Sequence, residues 1–174
     1  MSLSFFIGLT GAIILVLGAA YPAKQVKHPT QSLKNWLFAI GGAFMFTYSL
    51  INYLNGGSIF FVFLQILVNA AGILMLADVK KSISTPLILG GGMILVAWSL
   101  RLFEDPTTLL FIGGLVSISM GYLWNVTSQK RYIALTLGSA LVSVFSYLQG
   151  DMIFFWLNLF FTIFSAYYIW KFLK

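Results

Sequence analysis

Two polar pairs interrupt an otherwise apolar chain: Gln65 with Asn69, and Asn158 with Thr162. Each has i, i+4 spacing, which sets both side chains on one face of a helix. Ser49, Asn52 and Tyr53 make a second stripe, and Ser143, Ser146 and Tyr147 repeat its i, i+3, i+4 spacing further along. A side-chain amide offers one acceptor oxygen and two N–H donors, which suits a neutral hydroxylated solute. Trp156, with Trp98 or Tyr48, supplies an aromatic face on which a sugar or nucleoside ring could stack. Catalytic groups are lacking. The chain has no cysteine, its one histidine, His28, lies in a polar basic stretch, and its acids, Asp78, Glu104, Asp105 and Asp151, flank the apolar runs. The reading is therefore not an enzyme, with no cofactor and no metal site. Without an acid in the middle of a run for a proton relay, facilitated diffusion fits better than proton coupling.

The elements that must position these groups follow from composition. The 174 residues are 60% hydrophobic and 8% charged, whereas a soluble domain carries about 25% charged residues. One crossing of a hydrocarbon core needs about 20 apolar residues. Seven runs qualify, at about Leu3–Tyr21, Trp36–Leu54, Ile59–Leu76, Pro86–Leu102, Thr108–Val126, Tyr132–Leu148 and Met152–Phe172, the fourth and sixth being short. In lipid every backbone amide must bond internally, and the runs lack the alternation of barrel strands, so they are expected to be helices. MSLSFF has no positive n-region, so the first run reads as a span and not as a signal peptide.

Charge sets the orientation. Lys24, Lys27, Lys34, Lys80, Lys81, Lys130, Arg131, Lys171 and Lys174 fall in alternate loops and the C-terminal tail, and Arg101 alone falls on the other side. The positive-inside rule then places the N-terminus outside and the C-terminus in the cytoplasm. The same residues account for the pI near 9.7 through the lipid bilayer and its anionic headgroups, leaving no basic domain for nucleic acid. The expected location is a bacterial inner membrane.

LINYLNGGSIFF, residues 50–61, returns as VFSYLQGDMIFF, residues 144–155, each closing an outward hairpin. FFIG at Phe5–Gly8 is matched by LFIG at Leu110–Gly113, and KQVK by SQKR. The expected organisation is an all-α membrane protein of seven transmembrane helices in a 3+1+3 parallel repeat. Residues 1–81 form the first three-helix repeat, 82–106 a linker helix and 107–174 the second repeat. An odd unit needs one additional crossing to restore its orientation, and parallel repeats are a recurrent plan of secondary transporters.

Together with Pro22 and Gln25 in YPAKQ, the basic loop, the Trp-led second span and the Gly-capped hairpin, this plan resembles the SWEET and PQ-loop superfamily. The second unit has Gln129 but no matching proline. Tyr147–Phe172 is similar to the last hairpin of PnuC-type vitamin transporters, and Lys34-Asn35-Trp36, Gly41-Gly42, Tyr48 and Gln65 to the membrane domain found with lipid A biosynthesis proteins. The SWEET resemblance implies an asparagine on the third helix of each unit against the substrate, here Asn69 or Gln65 in one half and Asn158 in the other. The expected function is a facilitative, alternating-access uniporter for a small neutral polar metabolite, sugar-like or nicotinamide riboside-like. The alternative is a non-transporting membrane accessory of lipid or glycan synthesis.

Ordinary roles account for much of the remainder. Ser, Thr and Asn on membrane helices often bond a neighbouring helix, which is the first reading of Ser146 and the other serines. Trp36, Trp124 and Trp170 suit an aromatic belt. Gly41, Gly42 and Gly90 to Gly92 suit close helix packing. Asn125-Val126-Thr127 is an accidental sequon, while Gly11, Gly18 and the hinge Pro22 are flexing points. The partners expected are a small-molecule solute and the bilayer, with a homo-oligomer left open.

Overall fold

The computed structural model describes residues 2–21, 27–103, 105–125 and 128–173, the side chain of Phe172 excepted. Pro22, Gln25 and the sequon's Val126 and Thr127 lie outside them. Among the described residues there is no strand. There are seven α-helices: α1 Leu3–Ala20, α2 Leu33–Leu54, α3 Phe60–Leu76, α4 Lys81–Arg101, α5 Thr107–Leu123, α6 Gln129–Leu148 and α7 Met152–Phe172, with a 3-10 turn at Pro29–Gln31. Helices α1, α2, α4, α6 and α7 are long and apolar enough to cross a membrane, which fits an integral membrane protein. Helices α3 and α5 have 17 residues each, at the lower limit for a crossing.

The short elements are thus not the fourth and sixth. Helix α4 begins at Lys81 and carries Pro86 within it, while α6 begins at Gln129. Their first turns are made of Lys, Ser, Gln and Arg, which hydropathy scores as loop although nothing in those side chains prevents helix.

Three helix starts are closed by a side chain. Ser2 Oγ accepts from the Phe5 N–H at 3.3 Å, Ser32 Oγ from Asn35 at 3.4 Å, and the Asp151 carboxylate from Phe154 at 3.1 Å, all N-caps. At the other end of α1, the Lys34 ammonium donates to the carbonyls of Tyr21 at 3.0 Å and Ala19 at 3.4 Å, a cation on the negative end of the helix dipole.

The repeated hairpins share one backbone motif. The Gly57 N–H bonds the Asn52 carbonyl at 2.9 Å and Gly56 bonds Tyr53 at 3.0 Å; Asp151 bonds Ser146 at 2.9 Å and Gly150 bonds Tyr147 at 3.1 Å. This is the Schellman closure, which needs a left-handed residue just past the helix. Gly56 at φ +91° and Gly150 at φ +75° supply it. The copied text is the sequence of that stop.

The chain divides into two compact units, Met1–Ser84 and Thr85–Lys174. In the first, α1 packs on α2 and α2 on α3; in the second, α5 packs on α6 and α6 on α7. Both use glycine for close approach. A Cβ at Gly11 would lie 2.8 Å from Phe44 Cβ and 3.0 Å from the Met45 nitrogen, and one at Gly41 2.8 Å from Leu15. In the second unit a Cβ at Gly114 would lie 2.6 Å from Val142 Cγ2, and one at Gly138 2.7 Å from Ile118. The two knots therefore correspond, Gly11 with Gly114, Leu15 with Ile118, Gly41 with Gly138 and Met45 with Val142. Around them the cores close on Met45 and Phe61 in one unit, and on Phe111, Leu115, Val142, Phe145 and Phe154 in the other, each at most 1% exposed. The expectation of close packing at Gly90 and Gly91 is not met, since a Cβ on either would find nothing within 4 Å. Consecutive helix residues point about 100° apart, so a run of three glycines cannot all face one neighbour. Gly92 is the buried member of the run.

This knot orders the tolerance of the glycines. Gly114→Val and Gly138→Val should each lower stability by about 1–3 kcal/mol through overpacking, while Gly90→Ala and Gly91→Ala are neutral or slightly stabilising; thermal unfolding in detergent separates the two groups. At the α5 entrance the Asp105 carboxylate is held below the usual aspartate range, chiefly by the Thr107 side chain and then by the backbone N–H of Thr107. A carboxylate depressed in the folded state stabilises above its unfolded pKa of about 3.9 and loses that contribution as pH falls through the folded value. Asp105→Ala should lower the melting temperature at pH 7, with the gap to the parent closing as pH drops below about 4.

Candidate functional site

Gln65 and Asn158 sit in the second turn of α3 and α7, and Asn69 one turn further along α3. Gln65 is 3% exposed and Asn158 6% exposed. Asn158 donates one N–H to the Phe154 carbonyl at 2.8 Å, and the Thr162 hydroxyl donates to the Asn158 carbonyl at 2.8 Å. In the first unit the Asn69 amide donates to the Gln65 carbonyl at 2.8 Å, and also approaches Gln65 Oε1 at 3.3 Å and the Gly42 carbonyl of α2 at 3.2 Å. The bond from Thr162 to Asn158 thus has the register of the bond from Asn69 to Gln65. By the pattern of burial, Phe61, Leu64 and Gln65 on α3 against Phe154, Leu157 and Asn158 on α7, Gln65 corresponds to Asn158 and Asn69 to Thr162.

Asn69 is committed to the α2–α3 seam. A Cβ on Gly42 would fall 2.6 Å from Asn69 Oδ1, so the glycine leaves the space that the amide fills. Gly42 was expected to be a packing residue; its specific partner could have been suspected only from the length of the α2–α3 hairpin, which brings these two positions level.

Gln65 and Asn158 differ from Asn69. Among the described residues, Gln65 Nε2 and Asn158 Oδ1 have no hydrogen-bond partner, and neither atom is fully enclosed. Each unit therefore holds, at the same place in its third helix, an almost buried amide with unused bonding capacity. An unbonded polar atom that keeps some exposure is open to an incoming partner, and Gln65 and Asn158 share that state.

The remaining candidates separate. Ser146 is fully buried and donates back to Val142 at 2.7 Å, while Ser49 donates to Phe46 at 2.8 Å. The glycine knots pair Ser49 with Ser146 and not with Ser143, because α2 runs nearly one turn further past Gly41 than α6 does past Gly138. Asn52 belongs to the hairpin, where a Cβ on Gly57 would meet its amide at 2.9 Å. From there, Asn69 lies ten residues into α3, about 15 Å along its axis.

Trp156 is 54% exposed, with its ring edge-on to Phe155 at 5.0 Å. Two helical positions separate it from Asn158, about 200° of rotation, so it does not share a face with that amide. Trp98 is likewise 54% exposed, and Tyr48 is buried in the core. The Trp156 ring is thus not a stacking face for the Asn158 amide.

Asp78 follows the end of α3, Asp105 precedes α5 and Asp151 caps α7, whereas Glu104 lies outside the described residues. Thr136 and Ser139, passed over in the sequence, extend the hydroxyl stripe of α6 through Ser143; their three- and four-residue spacing was the available signal. No protein-family model, curated protein or solved structure matches the chain.

Asn69→Ala should cost about 0.5–2 kcal/mol of stability, the range for a hydrogen bond between membrane helices. Thermal unfolding in detergent checks this, and Gly42→Ala should cost at least as much because its methyl group takes the place of the amide oxygen.

Proposed function

We propose that the chain is a facilitative transporter of a small neutral polar metabolite, sugar-like or nicotinamide riboside-like, working by alternating access in a bacterial inner membrane. Its seven helices cross as a 3+1+3 parallel repeat with the N-terminus outside. The observation that carries this reading is the matched pair of amides, Gln65 and Asn158, each almost buried and each with an unbonded polar atom. An amide taken into the interior without its full complement of bonds costs about 1–3 kcal/mol. A hydroxyl group of a solute offsets that cost at either amide, accepting from the Gln65 N–H groups in the first unit or donating to Asn158 Oδ1 in the second.

The resemblance to SWEET-type and PnuC-type carriers agrees with an amide on the third helix of each unit. Asn69, which that resemblance also implicated, holds the α2–α3 seam in this reading, and Thr162 takes the equivalent structural place in the second unit. A membrane accessory of lipid or glycan synthesis is the second reading. It is favoured by the closure of Ser49, Ser146, Asn69 and Thr162 onto their own helices.

Reconstitution in liposomes with labelled sugars and ribosides tests the proposal. Gln65→Met and Asn158→Leu should each slow uptake about tenfold, equivalent to about 1.4 kcal/mol, with melting temperatures within a few degrees of the parent. Absence of uptake across the panel, or parental rates in both variants, would leave the accessory role.

A further inference from the structure

The α6–α7 seam carries polar groups that neither helix satisfies. Its two ends are fixed by contacts, the Ser143 hydroxyl on the Phe155 carbonyl at 3.2 Å and the stacked rings of Tyr132 and Tyr168 at 5.1 Å. Along α6, Thr136 and Ser139 fall between Tyr132 and Ser143 on one arc of the helix. The positions packed on α5, among them Leu135, Gly138 and Val142, occupy a different arc. Along α7, Asn158, Thr162 and Ser165 fall between Phe155 and Tyr168 on the arc turned to α6. Both helices therefore present hydroxyl or amide groups to one seam.

Several of these groups have no partner. Thr136 Oγ1 is enclosed and makes no hydrogen bond. Ser139 and Ser165 are 6% and 8% exposed, and among the described residues their hydroxyls are unbonded. Asn158, on the same arc of α7, has its Oδ1 unbonded as well. Four unpaired groups at one helix contact are costly in a dry interior and ordinary in a wet one, since buried water bonds groups that would otherwise be unsatisfied. The first unit lacks the stripe: the positions corresponding to Thr136, Ser139 and Ser143 are Ala39, Gly42 and Phe46, and Asn69 closes that seam.

We infer that the α6–α7 seam is a hydrated polar track that binds hydroxyl groups, those of water or of a polyol, through Thr136, Ser139, Ser165 and Asn158. The track does not require the chain to be a carrier, because hydration is read separately from uptake.

The absence of cysteine makes accessibility measurable on a clean background. Single variants Ser139→Cys, Ser165→Cys and Thr136→Cys in liposomes, exposed to a water-soluble methanethiosulfonate, should react at least about tenfold faster than Leu137→Cys and Ile163→Cys, because only a hydrated thiol forms the reactive thiolate. Leu137 and Ile163 are exposed on the outer faces of the same helices, so they report the background rate. Slowing of the reaction by saturating sugar or riboside identifies solute hydroxyls in the track, and an unchanged rate identifies water. Rates no faster than at Leu137 and Ile163 would overturn the inference. Thr136→Val gives an independent reading with the same shape and no hydroxyl: a lower melting temperature supports a wet seam, and a higher one shows it dry.

Discussion

A hydroxyl or amide carried into hydrocarbon must find a bond inside the chain, and in this protein the nearest acceptor is usually the carbonyl four residues back. Thr47, Asn69, Ser99, Ser119, Ser146, Asn158 and Thr162 all donate there. One such bond satisfies the single O–H of serine or threonine. It leaves an asparagine or glutamine only partly satisfied, because an amide has two donors and an acceptor. That inequality sorts the polar residues. Most hydroxyls close on their own helix, those of the α6–α7 seam excepted, Asn69 uses its remainder to reach α2, and Gln65 and Asn158 keep theirs.

Close backbone approach is the second constraint, and it ties the two units to one plan. Gly11 against α2 and Gly114 against α6 sit in equivalent notches, each under a side chain whose Cβ or methyl would collide with any substituent. Without a hydrophobic force between helices in lipid, such contact is what dispersion has to work with. The glycine knots therefore define which residues correspond more reliably than the copied hairpin text, because a turn can be shared by helices of different length.

This difference bears on what the sequence made legible. The helices were readable because runs of Leu, Ile, Phe and Val of spanning length have few other solutions. Their ends were less so: Lys81 to Thr85 and Gln129 to Arg131 are helical, but polar enough to resemble loop. The positions of Gln65 and Asn158 on equivalent helix faces were legible from spacing. The role of Asn69 was not, because it depends on Gly42 lying level with it on another helix. The pairing of Ser49 with Ser143 followed the hairpin and went astray by a helical turn. Trp156 carried the right chemistry for stacking, but its place two residues from Asn158 was itself enough to put it on another face.

The additional turn in α2 has a further meaning. Between copies of one segment, a change of three or four residues is the smallest change in helix length that nearly preserves which side chains face inward, since 3.6 residues complete a turn. A change of one or two would rotate the hairpin away from its partner and expose its core. The extra length past Gly41, about 4.5 Å by helical rise, thus lengthens α2 while leaving its inward face nearly unrotated, with the same glycine stop at its end.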